Sequence, residues 1–379
     1  MPPKGHAILS ASSSERWLHC PPSARLCESY DDKGSDYAAE GTDAHALCEF
    51  MLRRALGMEA NDPTGNLTWF NEEMADCADG YAAYILELLE TAKQTCADPV
   101  VLIEQRVDFS RWVESGFGTA DCIIIADGIL QIVDFKFGSG KVIDANENSQ
   151  LMCYGLATAY MFDGIYDIDT VRMTIYQPRR DNISTYELTK DELYRWADEV
   201  LKPTAELAFA GDGNFLCGEW CGFCKAKHDC RARANANLEL ARFEFKLPPL
   251  LTDEEVEEIL TRVDDLVAWA TDIKDYALQQ AISGKEWVGW KLVEGRSNRK
   301  YTNETAVADT VSDAGFDPYE HKILGITAMQ KLLGKSRFEE LLAAYIEKPQ
   351  GKPTLVPEND KRPVMNTAKN DFMEEKDNE

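Results

Sequence analysis

The stretch GTADCIIIADGILQIVDFKFGSG, residues 118–140, limits the folds open to this chain more than any other. Two β-branched, apolar runs, 118–126 and 129–137, flank Asp127-Gly128, a dipeptide suited to the positive-φ positions of a tight hairpin turn. With those two residues as the turn, Ala126 faces Ile129 and Asp121 falls opposite Asp134. Directly opposed side chains share a face, with Cβ atoms roughly 4.5–5.5 Å apart, so two carboxylates placed there repel. Lys136 projects from the same face, opposite Thr119. Two readings stand. The polar residues form the solvated side of an ordinary hairpin, or a divalent cation removes the repulsion. Aspartate oxygens suit Mg²⁺ or Mn²⁺, and Lys136 then polarises water or stabilises charge on a phosphate.

The flanking segments bear on that choice. YAAEGTDAHALCEFMLRRALG, residues 37–57, has helical spacing, with entry through Gly41-Thr42 and Thr42 as the expected N-cap. His45 and Glu49 are four apart and share a face. A single histidine is commonly structural; a neutral imidazole from a separate element is also the expected third ligand beside two carboxylates. After the hairpin, a loop leads into a helix with Gln150 and Tyr154 four apart. Tyr154 is there either as a core aromatic or, with Gln150, as a residue lining the site.

The ordered set Gly41-Thr42-x-x-His45, Gly118-Thr119-Ala120-Asp121, Asp134-Phe135-Lys136 and Gln150-x-x-x-Tyr154 resembles the PD-(D/E)XK nuclease superfamily in its RecB-like branch, over roughly residues 8–235. The resemblance implies an α/β, restriction-endonuclease-like core, a central mixed sheet flanked by helices, with a C-terminal, mainly helical module. It implies that His45, Asp121 and Asp134 bind the catalytic Mg²⁺ or Mn²⁺, that Lys136 helps to activate water, and that Gln150 and Tyr154 line the active site. Asp134 stands where many relatives carry Glu. The implied activity is metal-dependent hydrolysis of DNA phosphodiester bonds, an exonuclease acting on single strands or duplex ends. The alternative is a nucleic-acid-binding protein of the same fold that does not cut.

CGEWCGFCKAKHDC, residues 217–230, brings Cys217, Cys221, Cys224 and Cys230 within fourteen residues, a density that marks a metal site. By spacing alone, either these four hold zinc, or three of them join a distant fourth. Cys20, in SERWLHCPPSARL, is a candidate for the fourth. RecB-like nucleases with an iron-sulfur cluster use one cysteine before the core and a C-x2-C-x5-C group after it. That resemblance selects Cys20, Cys221, Cys224 and Cys230 for a [4Fe-4S] cluster, with Cys217 as a neighbour and Zn²⁺ as the alternative occupant. Such a group clamps the first helix to the segment after the core, and closing a loop of about 200 residues restrains the unfolded chain in the manner of a disulfide.

Charge gives a weaker constraint. The chain carries 40 basic and 66 acidic residues, a net of −26, which argues against a nonspecific coat on nucleic acid. From residue 246 onward there are 18 basic and 26 acidic residues, so most of the excess lies earlier. In KEWVGWKLVEGRSNRKY, residues 285–301, aromatic and basic side chains interleave. Arg296, Arg299 and Lys300 are the candidate DNA contacts, beside Trp287, Trp290 and Tyr301, although a strand pair with core tryptophans fits as well. A helix of about 30 residues is expected from Thr252 onward, opened by the capping box Thr252-x-x-Glu255. The expected domains are 1–245 for the core, 246–347 for an accessory module and 348–379 for an extended or disordered acidic tail. The longest uncharged apolar run, LMCYGLATAYMF, is too short for a bilayer, so a cytoplasmic protein with no membrane partner is expected. The C-terminal pattern, including GKPTLVPENDKRP, is similar to a phage-encoded family of the same superfamily. This suggests phage recombination or replication, with a single-strand-binding or recombination protein as the expected partner.

Overall fold

In a computed structural model of the chain, residues 7–30, 34–241, 252–294, 301–319 and 323–347 are described. The chain divides into two compact units, Met1–Val293 and Glu294–Glu379.

The first unit is α/β. Its N-terminal helices are α1 (Ser14–His19), α2 (Ser23–Leu26), α3 (Asp36–Ala55) and α4 (Glu72–Ala92). Strands β1 (Val100–Asp108), β2 (Phe117–Ala126) and β3 (Gly128–Phe135) follow, then α5 (Ser149–Met161), β4 (Ile168–Gln177) and β5 (Asn182–Thr189). Helices α6 (Lys190–Trp196), α7 (Lys202–Ala210) and α8 (Arg231–Ala241) close the segment. The five strands lie in sequence order, and every pairing is antiparallel except β3 with β4. That parallel pair needs a crossover, which α5 supplies.

Both faces of the sheet are covered. Ile123, Ile125, Leu130 and Ile132 pack with α5 and the N-terminal segment around Leu9 and Trp17. Cys122, Ile124, Val133 and Phe135 pack with α3 and α4 through Leu47, Tyr81 and Ile85. A strand buried on both faces reads as an unbroken apolar run, and Ile123-Ile124-Ile125 is one. Helix α5 is buried along almost its whole length, from Ser149 to Ala159, in keeping with its lack of a polar side. Asn148 caps it by accepting from the Leu151 N–H at 3.2 Å.

The β2–β3 register is the one the turn dictates: Ala126 pairs with Ile129 and Cys122 with Val133, and Gly128 takes φ +85°. Two local expectations change. Helix α3 begins at Asp36, with Ser35 as its N-cap accepting from the Ala38 N–H, while Thr42 lies inside the helix and its hydroxyl donates to the Ala38 carbonyl. Ser35 with Asp36 in the first turn makes a better start than Gly41-Thr42. The long helix expected after Thr252 is two helices, α9 (Asp253–Leu260) and α10 (Val263–Ile282). The Thr261 hydroxyl donates to the Glu258 carbonyl, and Arg262 leaves helical geometry to donate to the Ala236 carbonyl at 2.9 Å.

In the second unit, α11 (Glu304–Asp313), α12 (Ile326–Leu333) and α13 (Lys335–Leu342) are short helices. The expected tail, 348–379, and the candidate DNA contacts Arg296, Arg299 and Lys300 lie outside the described residues. Among the described residues, no helix is long and apolar enough to cross a membrane.

Candidate functional site

The β2–β3 register, carried one step past Cys122 and Val133, sets Asp121 against Asp134 at the end of the hairpin. On the other side of β2, the β1 register sets Glu104 against Asp121. The ladder runs from Ile103 with Cys122 to Gln105 with Ala120, and the pair between them is missing. Glu104 takes a left-handed φ of +49° there. For a residue other than glycine that conformation costs of order 1–2 kcal/mol and signals a constraint imposed by its surroundings. Three carboxylates thus occupy one row across three adjacent strands.

Helix α3 brings His45 to this row. Its Nδ1 lies 3.3 Å from Asp121 Oδ1 and 4.0 Å from Glu104 Oε1, and its ring meets Phe135 edge-on. One ligand atom each from His45, Glu104 and Asp121 fall within 4.8 Å of one another. The other Asp121 oxygen, Oδ2, accepts the Phe135 backbone N–H at 2.7 Å. Asp134 does not join that group of three. Its Oδ2 lies 2.8 Å from Lys136 Nζ, and its Oδ1 accepts from Gln150 Nε2 at 3.2 Å. The Lys136 ammonium is the partner of Oδ2 in this 2% exposed carboxylate.

Gln150 ties the second half together. Its Oε1 accepts from Lys136 Nζ at 3.3 Å, and its Nε2 also donates to the Tyr154 hydroxyl at 3.1 Å. Tyr154 therefore fills both sequence readings, with a ring 3% exposed in the core and a hydroxyl in the polar network. Gly118 has a steric reason: a Cβ there would sit 2.6 Å from Tyr154 Cε1 and 3.2 Å from Ala11 Cβ.

Electrostatics follow from crowding charge at the edge of a core. Burial disfavours the imidazolium of His45, yet Asp121 beside it and Asp134 beyond raise its pKa to about 9. Burial and the Asp121 charge raise Glu104 to about 7. Burial opposes ionisation of Asp121, but His45 and Lys136 hold its pKa below the usual carboxylate range. Asp134 is pushed up by burial, against the pull of Lys136. Lys136 is raised: burial opposes its charge and Asp134 and Asp121 outweigh that. The structure therefore brings together His45, Asp121, Asp134, Lys136, Gln150 and Tyr154, and adds Glu104. Its only sequence signal was an acid within the β run VVLIEQRVD.

A second cluster lies away from the sheet. Cys20 follows α1 directly, and Cys20, Cys221, Cys224 and Cys230 line one cavity together with Arg16, Lys227 and Arg233. Cys217 is not among the lining residues. Sequence reasoning passed over Cys27, whose Sγ lies 3.6 Å from that of Cys224, both buried. The Cys224 contact, against burial and with help from Arg16, lowers the Cys27 pKa to about 5, while that of Cys224 is raised.

A solved structure, the crystal structure of SSO0001, is similar at 14% identity with a TM-score of 0.21, covering 58% of this chain and 96% of its own. The sequence profile of DUF2800, described as a protein of unknown function, matches residues 6–363, and the chain belongs to that family.

Proposed function

We propose that the protein is a metal-dependent deoxyribonuclease with a restriction-endonuclease-like core of the RecB-like PD-(D/E)XK type. The observation that carries this reading is the convergence of His45, Glu104 and Asp121, ligand atoms within 4.8 Å, beside a buried Asp134 paired with Lys136. Packing anions this closely costs stability and serves no core. The donors are hard oxygens and one imidazole, a set that fits Mg²⁺ or Mn²⁺.

His45, Glu104, Asp121 and Asp134 would hold the cation. When bound, it supplies Lewis acidity toward a phosphate oxygen and lowers the pKa of water. The chain's own residues do the rest. Lys136, kept cationic by Asp134 and Asp121, stabilises negative charge on the phosphate rather than accepting a proton. Gln150 holds Lys136 and Asp134 in one orientation, and Tyr154 fixes Gln150. The Phe135 N–H orients Asp121.

The cysteine-lined cavity supports a second, structural group held by Cys20, Cys221, Cys224 and Cys230. The resemblance to RecB-like nucleases with an iron-sulfur cluster favours [4Fe-4S] over zinc. A brown protein with broad absorption at about 400 nm is expected; a colourless, zinc-containing protein reverses that assignment. The test of the activity is incubation of end-labelled single- and double-stranded DNA with Mn²⁺. Wild type shortens the label, and Asp134→Ala and Lys136→Ala lose about 100-fold or more of that rate. If wild type retains DNA without cutting it, the non-cleaving binder of the same fold takes the place of the nuclease. A role in phage recombination or replication is part of the proposal on sequence resemblance alone.

A further inference from the structure

The guanidinium of Arg16 is 9% exposed and sits in the wall of the cysteine cavity. Its Nη1 donates to the Ser23 carbonyl at 2.7 Å and to the Ser23 hydroxyl at 2.9 Å, both neutral acceptors. Among the described residues no carboxylate pairs with it. The other two cations of the wall do have an acid: Lys227 lies 2.9 Å from Asp272 Oδ1, and Arg233 contacts Asp272 Oδ2. Lys227 and Arg233 thus share one carboxylate, while Arg16 has the neutral Ser23 acceptors and the cysteine sulfurs around it. A buried cation is disfavoured unless an anion lies beside it. The wall therefore calls for an anionic occupant. Four thiolates around a core of charge 2+, whether [4Fe-4S]²⁺ or Zn²⁺, carry two negative charges.

We propose that Arg16 is the residue that neutralises the thiolate-held group in the Cys20, Cys221, Cys224 and Cys230 cavity, acting on the group's retention and potential through charge rather than as a ligand. The inference rests on the cysteine-held group of the preceding reading and not on DNA cleavage. Arg16 also occupies the helix that ends at Cys20, and its two bonds to Ser23 hold the turn through which Cys20 enters the cavity.

The experiment uses the full chain, reconstituted anaerobically with iron and sulfide, or with zinc. Wild type is compared with Arg16→Gln and Arg16→Lys. The readouts are bound metal, the rate of metal loss to a chelator and, for an iron-sulfur group, the reduction potential. Arg16→Gln is expected to lose metal at least tenfold faster. Its potential should fall, because one more electron is then added to an anion lacking its counter-charge; a tenfold preference corresponds to about 59 mV for a one-electron couple. Arg16→Lys restores most of the retention. Equal retention and potential in Arg16→Gln and wild type overturns the proposal. So does an Arg16→Lys variant as defective as Arg16→Gln, because geometry and not charge is then at work. A wild type that takes up neither metal overturns it together with the cysteine-held group, while the DNA assay still decides the nuclease reading separately.

Discussion

Gln150 stands between Lys136 and Asp134, accepting from the Lys136 ammonium through Oε1 at 3.3 Å and donating to Asp134 Oδ1 through Nε2 at 3.2 Å. One side-chain amide thus fixes a cation and an anion that share a single charge pair. Partners of this kind set the orientation of ligands, and their loss typically costs 10- to 100-fold in metal affinity or activity. Gln150→Ala should lower the Mn²⁺-dependent cleavage rate by about that factor while leaving the melting temperature near wild type. Tyr154→Phe removes only the hydroxyl that Gln150 bonds, so its loss in rate should be smaller. Initial rates on end-labelled DNA, with melts of both variants, check the pair.

Glu104 offers a sharper test because its effects on stability and metal binding have opposite signs. Its carboxyl is crowded by Asp121 and raised to about 7 by burial and that repulsion. In chelator at pH 8, Glu104→Gln should therefore melt at a higher temperature than wild type. With Mn²⁺ present the order should reverse, because the variant has lost a ligand and binding stabilises only the form that binds. Titration calorimetry should show Mn²⁺ affinity falling about tenfold or more. Equal melting curves in both conditions would take Glu104 out of the site.

How much of this was legible in the sequence depended on how local each signal is. The turn at Asp127-Gly128 and a period of two fixed the pairing of Asp121 with Asp134 before any coordinates, because a hairpin's register follows from its turn. The helical spacing of Gln150 and Tyr154 needed no tertiary information either. Glu104 was out of reach: its place beside Asp121 depends on how β1 meets β2 and on a left-handed backbone at a residue type that rarely adopts one. Cys27 was passed over for a similar reason, since its contact with Cys224 spans 197 residues. The break between α9 and α10 follows from the Arg262 bond to Ala236, a tertiary contact that overrides a continuous helical pattern.

Gly118 ties the hairpin to the site through packing alone. A methyl group there would meet Tyr154 Cε1 at 2.6 Å, well inside van der Waals contact, and the buried ring has little space to retreat. Gly118→Ala should destabilise the protein by about 1–3 kcal/mol, the usual range for overpacking. It should also reduce cleavage, because any movement of Tyr154 loosens its bond with Gln150. A companion variant, Gly118→Ala with Tyr154→Leu, should recover part of the stability but none of the activity. Denaturant melts and DNA assays on the three proteins separate the two effects.

The charge row also fixes how the metal-free protein responds to pH. His45 titrates at about 9 in the folded chain against about 6.5 unfolded, and Glu104 at about 7 against about 4.5. Both groups bind protons more tightly when folded, so stability must fall as pH rises. The Glu104 contribution is fully present below about pH 4.5 and gone above about 7; that of His45 is present below about 6.5 and gone above about 9. In chelator, then, stability should decline from about pH 6.5 to 9, and His45→Ala should flatten that upper part of the slope. A divalent cation needs His45 neutral and the carboxylates ionised, so its binding must release protons at neutral pH and its affinity must rise with pH over the same window. Melts across that range with and without Mn²⁺, and calorimetry in two buffers of different ionisation enthalpy, measure both effects. A metal-free slope of the opposite sign would mean that His45 does not face Asp121 as described.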